Sequence, residues 1–542
     1  MERPASPRID PVIFWVSVAI TVAFVLWGVL APENVAAVTG AIFNFVITDL
    51  GWVFVLATFG FLAFAVYLAA SRYGRVRLGG DDERPEFSTV SWVAMMFSAG
   101  MGIGLMFFGV AEPIGHLGAP PHGLARAGTE DAAGLAMEYS YFHWALHPWA
   151  IYAIMGLALA YFCFRKGMPN LISTAFYPLL GDRVYGPAGK TIDILAIFAT
   201  LFGSATSLGL GALQISGGLN YLVDAIPNST FVAVMIIVFL TAAFIVSAVS
   251  GVHRGIQWLS NTNMVLAVLL LFFLFVVGPT VFILNTFVES IGGYMARLIP
   301  MSFQTAFSGD PAFLSSYTIF YWAWWISWAP FVGTFIARIS RGRTIREFVI
   351  GVILVPSMVS FVWFTVLGGA AINLDLTGAA NIAGAAAQGP EIALFATLAE
   401  FPLSALMSVI AIVLVALFFV SGADAASVVM GMLSSRGSLH PRPLIVVVWG
   451  VLMGASAAIL LAIGGADSLS GLQIASVLAG GPFALILIGL CWSLMKALRT
   501  ERLPGAAPRP TTAPEPGRAM SRPSGAATPQ QMAAEDPREQ GR

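Results

Sequence analysis

Four tryptophans fall within seven positions of the stretch YWAWWISWAPF, as Trp322, Trp324, Trp325 and Trp328, and a second aromatic group, Trp144, Trp149 and Tyr152, lies in HWALHPWAIY. On a helix, Trp324 and Trp328 (i,i+4) and Trp325 and Trp328 (i,i+3) project from one side. Tryptophan in an apolar chain commonly belongs to an interfacial belt, and rings on one helix side also serve as packing. Trp325 and Trp328 sit near the middle of their apolar run, which fits a belt poorly. Several indole faces around a buried pocket suit a quaternary ammonium ion, which donates no hydrogen bonds and is attracted by the ring quadrupole. Each desolvated cation–π contact contributes ~2 kcal/mol, so three or four support millimolar to micromolar binding after association costs. Neither stretch contains Lys or Arg to repel such a cation.

Other residues offer chemistry more weakly. The segment GMGIG places Gly100, Gly102 and Gly104 within five positions of an apolar run, although glycine inside a helix costs about 1 kcal/mol relative to alanine. Two readings fit: close helix packing through small residues, or a helix break whose freed backbone groups meet a ligand. Thr200 and Ser204 share a helix face at i,i+4, where hydroxyls most often bond to their own preceding turn. Asp424 is the lone carboxylate of its apolar run and fits either a proton carrier or a structural anchor. His143 and His147 have metal-ligand spacing, but with no third ligand or H-E-x-x-H pattern they do not imply a metalloenzyme. Cys163 and Cys491 lie far apart in apolar runs and imply no disulfide. No polar catalytic cluster stands out, so an enzyme is not expected.

The elements that must position these residues are membrane helices. The 542 residues are 58% hydrophobic and 10% charged, against about a quarter charged in soluble domains. A net charge of −1 excludes bulk attraction for nucleic acid. Apolar runs long enough to cross a bilayer lie near 12–31, 51–71, 88–110, 139–163, 190–220, 231–250, 263–286, 316–338, 347–370, 403–432, 442–463 and 472–496. With twelve spans and both termini in the cytoplasm, all but Arg126 and Arg297 of the 27 Lys and Arg fall on the inner side, as the positive-inside rule requires. The outer connections are acidic or neutral and include Glu33, Asp49, Glu112, Glu130, Asp131, Glu138, Asp375, Glu391 and Glu400. The stretch 371–402 reads as an amphipathic segment over the outer mouth, either a lid or a plain interfacial helix, and 287–315 as an amphipathic connector. Residues 1–11 form a short N-terminal tail, and 503–542, rich in Pro, Ala, Arg and Ser, are expected to be a disordered cytoplasmic tail.

The motifs FSTVSWVAMMFSAGMGIGLMFFGVAEP (87–113), HWALHPWAIY (143–152), LFGSATSLGLGALQI (201–215), YWAWWISWAPFVGTFIARISRGRTIREF (321–348) and FFVSGADAAS (418–427) together resemble the betaine/choline/carnitine transporter (BCCT) family over about residues 10–500. The resemblance implies an all-α membrane protein of 12 transmembrane helices. Two leading helices (12–71) would precede a leucine-transporter-type pair of inverted five-helix repeats (88–286 and 316–496). It further implies alternating access, a homotrimer in the bacterial inner membrane, and an aromatic box of Trp144, Trp149, Tyr152, Trp324, Trp325 and Trp328 holding a trimethylammonium group. The substrate carboxylate would face the backbone around Gly100, Met101, Gly102 and Gly104. Glycine at 104, where choline-transporting relatives carry aspartate, favours a zwitterion such as glycine betaine over choline.

The same resemblance implies sodium as coupling ion and no other cofactor. One family sodium site maps to Ser98, Met101, Phe418 and Ser421, with Gly422 where a second hydroxyl is expected; the other maps to Thr200, Ser204 and Phe331. The missing hydroxyl keeps open a proton-coupled or sodium-independent transporter or exchanger of carnitine, choline or dimethylsulfoniopropionate. A channel is a further class, distinguished by conductance without coupling. The mixed charges and many prolines of the tail argue against the basic helical extension of osmosensing relatives.

Overall fold

The computed structural model describes residues 9–100, 102–250, 253–307, 310–464 and 468–501; the expected tail from 503 and most of the N-terminal tail lie outside them. Among the described residues the chain is helical throughout, without a β-strand beyond one isolated bridge between Arg77 and Thr344. The long helices are α1 (Pro11–Leu30), α2 (Pro32–Ala70), α3 (Thr89–Gly100), α4 (Ile103–Gly118), α5 (Glu130–Trp144), α6 (Leu146–Ala160), α7 (Pro187–Leu222), α8 (Thr230–Ser250), α9 (His253–Val277) and α10 (Thr280–Ser302). They continue with α11 (Ile319–Ile339), α12 (Ile345–Leu376), α13 (Ser404–Ser434), α14 (Pro443–Ile463) and α15 (Ser468–Thr500).

Local chemistry sets several of these ends. The Asp10 carboxylate accepts the amides of Val12 and Ile13 to open α1, and Thr344 with Glu347 forms a reciprocal capping box at the start of α12. Between α1 and α2 the chain turns at Ala31 alone, with Pro32 at the first position of α2, where its missing N–H costs nothing.

Nine helices among the described residues are long and apolar enough to cross a membrane, or ten if the bent pair Asn261–Val277 and Thr280–Ser302 counts as one span. Four expected spans differ in form. The second, expected at 51–71, is the last part of a longer helix of 39 residues, about 58 Å long, because the acids Glu33 and Asp49 do not interrupt helical geometry. The third is split into α3 and α4 and runs on to Gly118, well past 110. The seventh ends at Val277 rather than 286, and the chain bends by 108° at Gly278 and Pro279. The connector expected at 287–315 is therefore the helix Thr280–Ser302. The eighth, α11, is a full-length helix made less apolar by its indole and phenol rings.

Packing concentrates on α11, which lies against α6, α7 and α15, while α12 covers α4 and α6, and α13 packs on α7. The stretch 371–402 forms the end of α12 and short helical turns at Ile382–Gln388, Pro390–Ile392 and Ala393–Ala399. Its apolar residues Leu394, Phe395 and Leu398 are buried, and the turns contact α4 and α13.

Just beyond α15, the Glu501 carboxylate receives Lys166 Nζ at 2.6 Å, Arg165 Nη2 at 2.8 Å and the Tyr161 hydroxyl. Arg165 also reaches Asp81 at 2.8 Å and the carbonyl of Gly79 at 3.0 Å, so one cluster joins the end of α15, the end of α6 and the segment after α2. Burial opposes the charge on Glu501, but the hydrogen bonds from Lys166, Tyr161 and Arg165 outweigh it and hold the carboxyl at about 2, below its ordinary 4.5. A carboxyl depressed by folding stabilises the native state above its unfolded pKa and loses that contribution as pH falls towards the folded value. The melting temperature of the native protein should therefore drop more steeply between about pH 4.5 and about pH 2 than that of Glu501→Gln. Parallel curves in scanning calorimetry would show that the cluster carries no such linkage.

Candidate functional site

The site begins with two interrupted helices. Helix α3 stops at Gly100 and α4 starts at Ile103, with Gly102 between them in fully extended backbone (φ −173°, ψ −179°). Met101 and the side chain of Ser98 lie outside the described residues. The second interruption is Ala145 (φ −109°, ψ −108°), between α5 and α6. Pro148 has no N–H to offer the carbonyl of Trp144 four residues back, and Ser360 Oγ donates to that carbonyl instead, at 2.8 Å. The neighbouring carbonyl of His143 accepts Trp325 Nε1 at 3.0 Å. The break thus exposes acceptors that α11 and α12 fill, and this ties the two aromatic stretches together.

All six rings of the expected box line one cavity of about 60 Å³, with Gly102, Gly104, Leu105, Ser207 and Ser360 among its other walls. Trp324 and Trp325 stack with centroids 4.6 Å apart, Trp144 meets Trp325 edge-on at 4.8 Å, and Trp149 meets Tyr152 edge-on at 5.3 Å. Trp324 and Trp328 both donate their indole N–H to the carbonyl of Gly203 on α7, at 3.2 and 2.8 Å. Trp324, Trp325 and Trp328 thus turn their N–H groups to backbone acceptors, and among the described residues no charged side chain lines the cavity. Trp322 belongs elsewhere: it stacks on His147 at 5.2 Å, away from this cavity.

A second cavity shares Gly102, Ser207, Trp328 and Val332 with the first and adds Ser204, Asn263, Phe331, Phe418, Ser421 and Gly422. It brings together residues expected at both ion sites. Thr200 is not among them; its hydroxyl donates to the carbonyl of Ala196 at 2.8 Å, the ordinary bond to its own helix turn. Ser421 likewise donates to Leu417 O at 2.8 Å and accepts Asn263 Nδ2 at 3.3 Å. Nothing lies within 4 Å of where a Cβ on Gly422 would sit. Asp424 is buried on α13 and lines neither cavity.

Two sequence readings need correction. Glu112 is not in an outer connection: it sits in α4 and is 1% exposed, because that helix continues eight residues past the expected end of the span. Glu138 is likewise a buried residue of α5. His143 and His147 do not share a face, since the helix breaks between them. His143 Nδ1 meets Glu112 Oε1 at 2.7 Å, whereas His147 Nε2 meets Ser302 Oγ at 3.0 Å. The carboxylate of Glu112 and the imidazoles of His116 and His143 bring three ligand-type atoms within 4.8 Å of one another, a grouping the sequence did not suggest. An ionised carboxylate only accepts, so both imidazoles turn an N–H onto it and the trio is closed by its own hydrogen bonds. The one signal in the sequence is His116 four residues after Glu112.

Backbone proximity makes one of the glycines far more demanding than the other. A Cβ on Gly104 would stand 2.8 Å from Trp144 Cη2 and 2.9 Å from Trp324 Cη2, whereas one on Gly102 would meet nothing within 4 Å, in a conformation any residue adopts. Gly104→Ala should destabilise the purified protein by about 1–3 kcal/mol and Gly102→Ala by much less. Equal thermal or denaturant stabilities of the two variants would show that the rings yield freely.

Comparison with known proteins shows the family of the chain. The model of the betaine/carnitine/choline family transporters matches residues 12–503. The chain is 49% identical over 494 residues to the glycine betaine transporter OpuD of Bacillus subtilis, covering 90% of this chain and 94% of that one. It is 47% identical over 489 residues to a probable glycine betaine transporter of Desulfitobacterium hafniense, covering 90% and 97%. It is 41% identical over 487 residues to an ectoine/hydroxyectoine transporter of Virgibacillus pantothenticus, covering 90% and 96%. With a match that runs nearly end to end and relatives of this similarity, the chain is a multi-pass membrane protein that belongs to the BCCT family of transporters.

Proposed function

We propose that this protein is a secondary transporter that imports betaine-type onium zwitterions, glycine betaine or a similar compatible solute, by sodium symport. The observation that carries the reading is the cavity walled by Trp144, Trp149, Tyr152, Trp324, Trp325 and Trp328, with no charged side chain in its lining among the described residues. Such a box holds a trimethylammonium group through cation–π attraction and offers a neutral amine or an anion little. The N-terminus of α4 opens beside it at Gly102, and the unsatisfied amides and positive dipole end of that helix suit the carboxylate at the other end of the zwitterion. Glycine at 104 places no carboxylate in the wall of the box itself, where a net cation such as choline would call for one. The relatives named for glycine betaine and ectoine point the same way.

In this reading the chain crosses the bacterial inner membrane twelve times with both termini cytoplasmic. The split pair α3 and α4, the bent pair α9 and α10, and α11 join the nine long apolar helices. Residues 88–286 and 316–496 are taken as inverted five-helix repeats of the leucine-transporter type, working by alternating access in a homotrimer. The second cavity, with Ser204, Ser207, Phe331, Phe418 and Ser421, is the place for sodium.

A second reading has support of its own. Gly422 has no side-chain oxygen and Thr200 does not line the second cavity, so the oxygens gathered there are fewer than the family pattern calls for. Proton coupling, with buried Asp424 as carrier, or gradient-independent exchange would accommodate that.

Uptake of labelled glycine betaine into proteoliposomes separates these readings. Accumulation driven by an inward sodium gradient is expected. Accumulation only under a proton gradient would transfer the coupling role to Asp424, and counterflow insensitive to either gradient would mean an exchanger. Trp325→Leu should abolish binding of all onium substrates, and retained affinity in a fluorescence titration would show that the box lies elsewhere.

A further inference from the structure

Glu112 is a side chain the transport reading leaves unused. It is 1% exposed, yet four donors converge on it. Oε2 receives Trp144 Nε1 and the Tyr321 hydroxyl, each at 2.6 Å, and Oε1 receives His143 Nδ1 at 2.7 Å and His116 Nε2 at 3.3 Å. With Trp144 and Tyr321 both donating to Oε2 and each imidazole able to turn an N–H onto Oε1, the surroundings favour the ionised carboxylate, which places its charge in the protein interior. The imidazoles need not be charged to do this. His143, with Nδ1–H on Glu112, can accept the Thr318 hydroxyl at its Nε2 3.0 Å away, and His116 needs only one N–H. In that tautomeric arrangement the cluster keeps a net negative charge.

The charge sits directly behind the aromatic box. Trp144 is a wall of the cavity and hydrogen-bonds Glu112 itself. Tyr321 lies parallel to Trp325, with centroids 5.8 Å apart at 8° and its hydroxyl on Glu112. Trp325 closes the circuit through the carbonyl of His143, whose ring is on the same carboxylate. An indole that donates its N–H to an anion becomes more electron-rich on its faces, and the anion adds a long-range attraction that a low-dielectric interior screens weakly.

We infer that Glu112 is a positioning and specificity-determining residue: it fixes Trp144 and Tyr321 behind the box and supplies the negative potential that makes the box select a cationic head. The inference rests on the reading that the box holds an onium group. Glutamine at 112 keeps an amide oxygen for Trp144 and Tyr321 while removing the charge, and the two imidazoles can change tautomer to meet its NH₂. Tyr321→Phe does the reverse, removing one donor while leaving the charge in place.

The test measures glycine betaine binding by tryptophan fluorescence in purified full-length protein, with near-ultraviolet circular dichroism reporting the packing of the rings. Glu112→Gln should retain the native near-ultraviolet signal and bind glycine betaine at least about tenfold more weakly, whereas Tyr321→Phe should stay within about threefold of native. Native-like affinity in Glu112→Gln overturns the inference, and so do equal losses in the two variants or a loss accompanied by collapse of the ring signal, since packing alone would then account for it. If Glu112→Gln does not fold, the native protein decides: it should bind glycine betaine at least about tenfold more tightly than 3,3-dimethylbutanoate, its uncharged-head isostere, and equal affinities overturn the inference. A native protein that binds no glycine betaine at all would overturn the transport reading as well, which tells the two failures apart.

Discussion

A chain that spans a bilayer cannot leave a backbone carbonyl or amide unpaired where water is absent, and this constraint organises the centre of the molecule. At the α5/α6 interruption, side chains from other helices meet the freed groups. At the kink between α5 and α6, Ser360 takes the carbonyl that Pro148 cannot serve and Trp325 takes its neighbour on His143. Two more side chains reach the backbone of the first turn of α4: Trp363 Nε1 donates to the carbonyl of Leu105 and Gln214 Nε2 to that of Met106, both at 2.8 Å. The interrupted helices are thus held by their neighbours, and Trp325, whose N–H holds the α5/α6 kink, is also a wall of the aromatic cavity.

That double duty requires close approach, which small residues supply. Gly203 lets Trp328 lie on α7, since a Cβ there would stand 2.9 Å from Trp328 Cδ1, and Gly480 lets α15 rest on the backbone of Ala323. Gly109 makes room for the indole of Trp363, whose nitrogen lies 2.7 Å from where its Cβ would be. Apolar attraction between helices is weak in lipid, so packing of this kind and hydrogen bonds between helices carry most of their association. The glycine-rich sequence of α3, α4 and α7 and the tryptophan-rich sequence of α11 are two halves of one fit.

Much of this was legible in the sequence because hydropathy, charge bias and aromatic spacing are local signals. Spacing put Trp324, Trp325 and Trp328 on one helix side, the family resemblance added Trp144, Trp149 and Tyr152, and one cavity gathers all six. What could not be read depends on tertiary context. Glu112 looked like a loop acid because a carboxylate seldom sits in a membrane helix; only the convergence of Trp144, Tyr321, His116 and His143 from three helices makes its burial affordable. His143 and His147 looked like neighbours because spacing assumes an unbroken helix, and Ala145 breaks it. The continuous α2 and the 108° bend after Val277 were hidden for a related reason: acids do not end helices by themselves, and a Gly-Pro pair marks a corner without saying how sharply it turns.

The two cavities are not independent compartments. Gly102, Ser207, Trp328 and Val332 border both, and Trp328 stands between them with its N–H on Gly203, one turn of α7 before Ser207, whose hydroxyl reaches the same carbonyl at 3.3 Å. Any movement of Trp328 therefore reshapes the aromatic pocket and the hydroxyl-lined pocket together, and any change in the backbone at Gly102 does the same from the opposite wall. Coupling between two ligands needs an element whose arrangement both of them bias. In the proposed reading that element is the contact of α11 with α7 beside the interruption between α3 and α4, where one ring, one hydroxyl and one glycine border both cavities.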